Sequence, residues 1–178
     1  PADSAGLIFR VMINSQVLKA QFRAVEAVPL PLVFSELYRA LQTHQVDGQE
    51  NTISNIYAKK FYKVQPYLTV SNHGYLGYVV LANADFWDSL PPDIQEILEK
   101  TMAEVTLWER FKAEELNNKD FKRLIDSGQM KIHVQTAEER EAWVERFEPV
   151  YRHYTSYVGK DLLNALKQLD HHDRRSVL

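Results

Sequence analysis

The chain has 178 residues, 45% of them hydrophobic, which is enough for one sizeable domain with a true core. Its 21 basic and 24 acidic residues leave a net charge of −3, which excludes the basic stripe that nucleic acid requires. Cysteine is absent and no apolar run reaches the length of a membrane span, so disulfides, thiolate metal sites and a membrane-embedded chain are excluded.

The chain opens at Pro1 without a signal peptide, and the expectation is a processed or truncated chain; the composition suits cytosol and bacterial periplasm alike. Leu7 to Ile13 (LIFRVMI) is an apolar run interrupted only by Arg10, the pattern of a strand buried on both faces of a parallel sheet. Ser15 is a candidate N-cap for a helix whose inner stripe is Leu18, Phe22 and Val25. Ala27 to Phe34 (AVPLPLVF) is strand-like, but Pro29 and Pro31 cannot donate ladder bonds, which makes it short or an edge.

Phe34 to Asn51 (FSELYRALQTHQVDGQEN) opens as a short helix with Ser35 as its expected cap and Leu37, Tyr38 and Leu41 on one face. Asp47-Gly48 is a turn pair, followed by the polar run Gln49-Glu50-Asn51. Thr52 to Val64 carries a rough helical stripe at Ile53, Ile56, Phe61 and Val64, and Tyr67 to Asn83 reads as extended chain bent at Gly74 and Gly77.

Pro91 and Pro92 open a long helix predicted to run to Ser127, with Gly128 as its C-cap. At 1.5 Å per residue it is about 50 Å long and should touch more than one subdomain. Met130 to Val134 is a short strand, and Thr136 with Glu139 forms a capping box for a helix through Trp143, Phe147 and Tyr151 that Pro149 should kink. Leu162 to Leu169 is a last short helix, with a solvated tail at His171 to Arg175. Alternating short strands and helices followed by a helical tail indicate an α/β fold.

Arg10 is the sharpest chemical candidate, because a buried guanidinium persists only with an anionic or multiply hydrogen-bonded partner. That partner is an internal carboxylate, which the pattern alone favours, or a ligand carboxylate gripped by the two-pronged guanidinium. Gln49-Glu50-Asn51 is either a turn bonded to its own backbone or a ligand-facing wall, and its spacing is wrong for a calcium loop. His73 is by default a half-buried histidine, with a proton shuttle or ligand donor as the alternatives. His171-His172-Asp173 lies on a tail, and His44, His133 and His153 have no partners at metal-ligand spacing, so neither metal nor cofactor is expected. Nucleophile elbow, phosphate-binding glycine loop and zinc-type His-Glu pairing are all missing, so the residues point to a ligand site more than a reaction site.

FSELYRALQTHQVDGQEN resembles the signature region of the solute-binding subunits of TRAP transporters, the tripartite ATP-independent periplasmic systems, whose pattern is close to FSE-hydrophobic-Y-x-ALQT-x-x-VDGQEN. GLIFRVM is similar to that family's GLKIRV strand, YKVQPYLTVSNHGYLGYVV to its following segment, and FWDSLPPDIQEIL to the start of its long helix. NHGYLGY is most similar to the C4-dicarboxylate branch.

The resemblance implies a bilobal periplasmic-binding-protein-like fold that closes on a small organic acid and delivers it to TRAP membrane subunits. It implies that Arg10 grips the ligand carboxylate, that Asn51 contacts the ligand and that Phe34 packs against it, with His73 and Tyr75 in a segment within reach of the pocket. The expected division is residues 1–75 for most of the second lobe, 76–128 for a crossover strand and spine helix crossing both lobes, and 129–178 for a short strand and C-terminal helices. The family's N-terminal lobe is absent here, so the chain is expected to be a C-terminal portion. Glu26-Ala27 replaces a usual Gly-Ala, Leu30 a frequent threonine and His44 a frequent glycine, which puts solute identity in doubt before fold. Two other classes compete: a small hydrolase using His73 with Ser71 or Glu50, and a helical interaction module built on Pro92 to Ser127.

Overall fold

A computed structural model describes residues 1–173, with side chains described through Ala165 and Leu166. The expected solvated tail at His171 to Arg175 lies outside the described side chains. The chain forms two compact units, one from Pro1–Glu50 together with the chain from Gln135 on, the other from Asn51–Val134.

In the first unit, three parallel strands lie in the order β2-β1-β3, with β1 at Ile8–Val11, β2 at Val28–Pro31 and β3 at Gly48–Gln49. The apolar run around Arg10 is thus the central strand, hydrogen-bonded on both edges. The Val-Pro-Leu-Pro strand takes the edge because its prolines lack N–H groups. Helix α1 (Gln16–Ala24) starts where Ser15 Oγ accepts the Leu18 N–H at 3.2 Å, as its sequence signals. Its Phe22 packs with Val11, Val25, Ala27 and Phe147 into the core, where the Phe9 and Phe22 rings stack 4.8 Å apart. Phe147 arrives on helix α6 (Ala137–Val158), opened by the Thr136–Glu139 capping box. Pro149 lies inside α6 without ending it, and α7 (Lys160–Asp173) follows Gly159.

Two local expectations fail in this unit. Phe34–Glu36 is a 3₁₀ turn ahead of α2 (Leu37–Gln42), so Ser35 sits inside the turn and makes no cap; Glu36 precedes the helix instead. Asp47-Gly48 is not the expected turn pair, because Gly48 is already paired with Phe9 as strand.

In the second unit, β4 (Tyr67–Val70) pairs in parallel with β5 (Lys131–Val134). The stripe expected from Thr52 to Val64 is split into α3 (Ile53–Ala58) and a 3₁₀ turn at Phe61–Lys63, with Lys60 between them in the left-handed region. A short α4 (Ala84–Asp88) precedes the long α5 (Pro92–Ser127), which ends at left-handed Gly128. Helix α5 packs on α3, where Asn117 Oδ1 accepts the Ser54 N–H and Arg123 lies over the Tyr57 ring. Ile56, Phe61, Leu124 and Met130 are the buried apolar residues here. Residues 71–83 have no regular secondary structure, so the expected crossover strand does not form, and Tyr78, Val79, Val80 and Leu81 are 78% or more exposed.

Candidate functional site

Arg10 owes its position to the sheet. It is the third residue of the central strand, flanked in register by Leu30 on β2 and Gln49 on β3, and only 4% of it is exposed. Its Nε–H donates to the Leu32 carbonyl at 2.9 Å, and its guanidinium lies 5.7 Å from the centroid of the Phe34 ring. That loop is itself held down, since the Leu32 N–H donates to the Val11 carbonyl. With Nε committed, the terminal Nη pair has no hydrogen-bond acceptor among the described residues. A cation so oriented presents the fork that binds a carboxylate through two parallel bonds, and the aromatic face supports its charge.

The opposite flank is built by three consecutive residues. Asp47 clamps the strand end, its N–H donating to the Ile8 carbonyl and its Oδ2 accepting the Ile8 N–H, both at 2.8 Å. Gly48 follows because nothing larger fits: a Cβ there would lie 2.5 Å from a Phe9 ring carbon. Gln49 then pairs with Arg10, and Glu50 is left half-buried one residue further on.

Glu50 and Arg10 act on each other without forming a contact ion pair. Burial raises the Glu50 carboxyl above its ordinary range, and Arg10 opposes the rise. Burial likewise lowers the Arg10 pKa, and Glu50 opposes that. The internal carboxylate favoured for Arg10 is therefore a neighbour in the field rather than a bonded partner. In the sequence Glu50 belongs to the Gln49-Glu50-Asn51 run, a turn or a ligand-facing wall, but not to the ligand residues that the resemblance implies. Its signal was present as an acid immediately after a glycine-containing strand parallel to the arginine strand.

The remaining candidates belong to the second unit. Asn51 Oδ1 accepts the Asn55 Nδ2–H at 2.8 Å, just ahead of α3. His73 Nδ1 and Ser71 Oγ are 2.7 Å apart across Asn72, whose φ of 44° folds the chain back on itself, and burial lowers the His73 pKa. Tyr75 is 94% exposed, and its ring covers Gly77, where a Cβ would come within 2.7 Å of it. The structure thus brings Arg10 and Phe34 together, and it carries Asn51, His73 and Tyr75 on the other compact unit.

Among the described residues, no group of three His, Asp or Glu side chains is placed to hold a metal, and no helix is long and apolar enough to cross a membrane. An apolar cavity of about 130 Å³ lies between α1, α6 and α7, lined by Val17, Phe147, Tyr151 and Leu163 among others, and contains none of the candidates.

The family described as bacterial extracellular solute-binding protein, family 7 (DctP) matches residues 1–157. The chain belongs to this family. The DctP-family chain is 45% identical over 165 residues to the C4-dicarboxylate-binding periplasmic protein DctP of Shewanella loihica, covering 93% of this chain and 49% of that protein. It superposes with a TM-score of 0.88 on a TRAP periplasmic solute-binding protein from Shewanella oneidensis with bound succinate, at 42% identity and covering 93% of this chain and 54% of that one. A Pseudomonas aeruginosa counterpart with bound L-malate gives a TM-score of 0.82 at 38% identity, covering 86% and 53%. The chain therefore spans about half the length of the relatives it matches. All three are solute-binding proteins rather than enzymes, and the α/β fold expected from the sequence is the fold they share.

Proposed function

We propose that this chain is part of a periplasmic solute-binding protein that captures a small organic acid, with C4-dicarboxylates first, and delivers it to the membrane subunits of a TRAP-type transporter. The observation that carries the reading is Arg10: a buried cation with Nε committed to Leu32, its ring support at Phe34, and no acceptor for its terminal fork among the described residues. The relatives found with succinate and L-malate support the same substrate class. Phe34 joins Arg10 on geometry; Asn51, His73 and Tyr75 are assigned as further ligand contacts on the family resemblance. Binding selects a closed state, because a carboxylate that interacts better with the closed than with the open protein shifts the population toward it, and closure is what the transporter recognises.

The Ser71–His73 hydrogen bond is the feature that would suit a hydrolase. It joins residues two apart through a left-handed Asn72, which is a local turn contact, and none of the three relatives is an enzyme.

Thermal melts of the complete parent protein against a panel of mono- and dicarboxylates test the proposal, with Arg10→Ala alongside. A ligand at a hundredfold its Kd adds about 2.7 kcal/mol, a shift of several degrees. Arg10→Lys should weaken binding at least about tenfold, since a point charge cannot reproduce the fork. Equal shifts in wild type and Arg10→Ala would overturn the assignment.

A further inference from the structure

We infer that Asn55 sets the hydrogen-bonding sense of Asn51: by holding the amide oxygen, it makes Asn51 a donor toward the ligand, so that this part of the site selects an accepting oxygen. The inference rests on the reading above that Asn51 contacts the ligand, and it adds a positioning residue which that reading does not use. Its basis is the bond from Asn55 Nδ2–H to Asn51 Oδ1, 2.8 Å long. A side-chain amide carries its acceptor and its donors at two corners of one plane, so a donor held against the oxygen decides what the amide offers to a further partner. Rotating the Asn51 amide by half a turn would set N–H against N–H across that gap. Both side chains are half-buried, where a misdirected amide is costly.

The bond is not one that helix α3 needs in order to begin. The cap of α3 is Thr52, whose Oγ1 accepts the Asn55 N–H at 3.3 Å and whose carbonyl accepts the Ile56 N–H at 3.1 Å. The Ser54 N–H donates to Asn117 Oδ1 on α5 at 3.1 Å. First-turn N–H groups are thus served by Thr52 and Asn117, and the Asn51 amide is not spent on capping. The same bonds hold Asn55 in place, together with its carbonyl, which accepts the Lys59 N–H, and the buried Ile56 beside it. Arg123 over the Tyr57 ring fastens the next turn of α3 to α5. All of these groups lie in the unit Asn51–Val134.

The chemistry that follows is directional. An amide N–H donates to oxygen, and the strongest such acceptor on a small organic acid is a carboxylate oxygen. Asn55→Asp keeps the size of the side chain and places an acid in the first turn of α3, where the helix dipole favours it. It removes the N–H, however, and leaves a carboxylate against Asn51. The Asn51 amide then turns its N–H groups to that carboxylate and its oxygen to the ligand, setting oxygen against oxygen.

The test is isothermal titration of the complete parent protein with succinate, alongside melts of each variant without ligand. Asn51→Ala and Asn55→Asp should each weaken binding by about ten- to a hundredfold, the range for a hydrogen bond to a charged group. The melt of Asn55→Asp should stay within about 2 °C of wild type, which a merely structural role for Asn55 would not allow. Once Asn51 is replaced by alanine, adding Asn55→Asp should change Kd by less than about twofold, because Asn55 acts through the Asn51 amide. Direct repulsion between the new carboxylate and the ligand would persist in that double variant and overturns the inference, as does wild-type affinity in Asn55→Asp. Asn55→Ala, neutral and without the donor, should weaken binding by about two- to tenfold and likewise do nothing beside Asn51→Ala, so a failure of Asn55→Asp to fold does not remove the test. Wild-type affinity in Asn51→Ala overturns Asn51 as a ligand contact and this inference with it, while leaving Arg10 standing. Absence of binding by any acid in the panel overturns the carboxylate reading itself.

Discussion

Replacing Gly48 by alanine tests how the sheet positions Arg10. The new Cβ would lie 2.5 Å from one Phe9 ring carbon and 2.9 Å from two others. The ring cannot swing aside freely, because it stacks on Phe22 at 4.8 Å within the core. Overpacking of this kind costs about 1–3 kcal/mol, and contacts this short belong in the upper half of that range. Alanine recovers about 0.5–1 kcal/mol of backbone entropy relative to glycine, which leaves a net loss of about 1–2.5 kcal/mol. For a chain of this size the melting temperature should fall by about 2–10 °C. Affinity for the carboxylate should fall as well, since Gln49 and Arg10 are register partners and the displaced strand shifts the fork. Phe9→Leu in the same chain should recover part of the loss, giving a coupling energy in a double-mutant cycle. A wild-type melt for Gly48→Ala, or additive effects of the two substitutions, would refute the close-approach argument.

Thr136→Ala removes the acceptor for the Glu139 N–H at 3.2 Å while leaving the reverse bond from the Thr136 N–H in place. It should cost about 1 kcal/mol, read as a melting temperature lower by about 2–4 °C; an unchanged melt would show the cap is idle. His73 has its pKa lowered by burial from an ordinary value of 6.5, so the unfolded chain binds the proton first. Its contribution is complete above pH 6.5 and diminishes as pH falls from there toward the folded pKa. Melts from neutral to acidic pH should therefore decline less steeply in His73→Asn, and superimposable profiles would count against a buried neutral imidazole. Val80 is 78% exposed within the apolar run at 78–81, so Val80→Glu should suppress aggregation of the 178-residue chain by light scattering without lowering its melting temperature. Greater aggregation, or a destabilised fold, would mean this run is packed.

Much of the fold could be read from the sequence because its causes are local. Ser15, Thr136 with Glu139, Pro92 and Gly128 each act within one helical turn, and the structure has the helix ends where they place them. The central strand was equally legible, since an apolar run without alternation is what a strand covered on both faces requires. Asp47-Gly48 was misread for a physical reason. The pair has the composition of a turn, but its glycine answers to the Phe9 ring, 39 residues away in sequence. Ser35 was misread similarly, because a 3₁₀ turn began one residue before the expected cap.

The same division runs through the site. The sequence by itself determined that a permanent cation sits in a buried strand and must be compensated, and the signature block determined the family. Tertiary structure alone decided how the compensation is made: Nε to the Leu32 carbonyl, Phe34 against the guanidinium, and Glu50 near enough to act but not to bond. Register between parallel strands brings those groups together, and no local pattern encodes it, because parallel partners are joined by long crossovers.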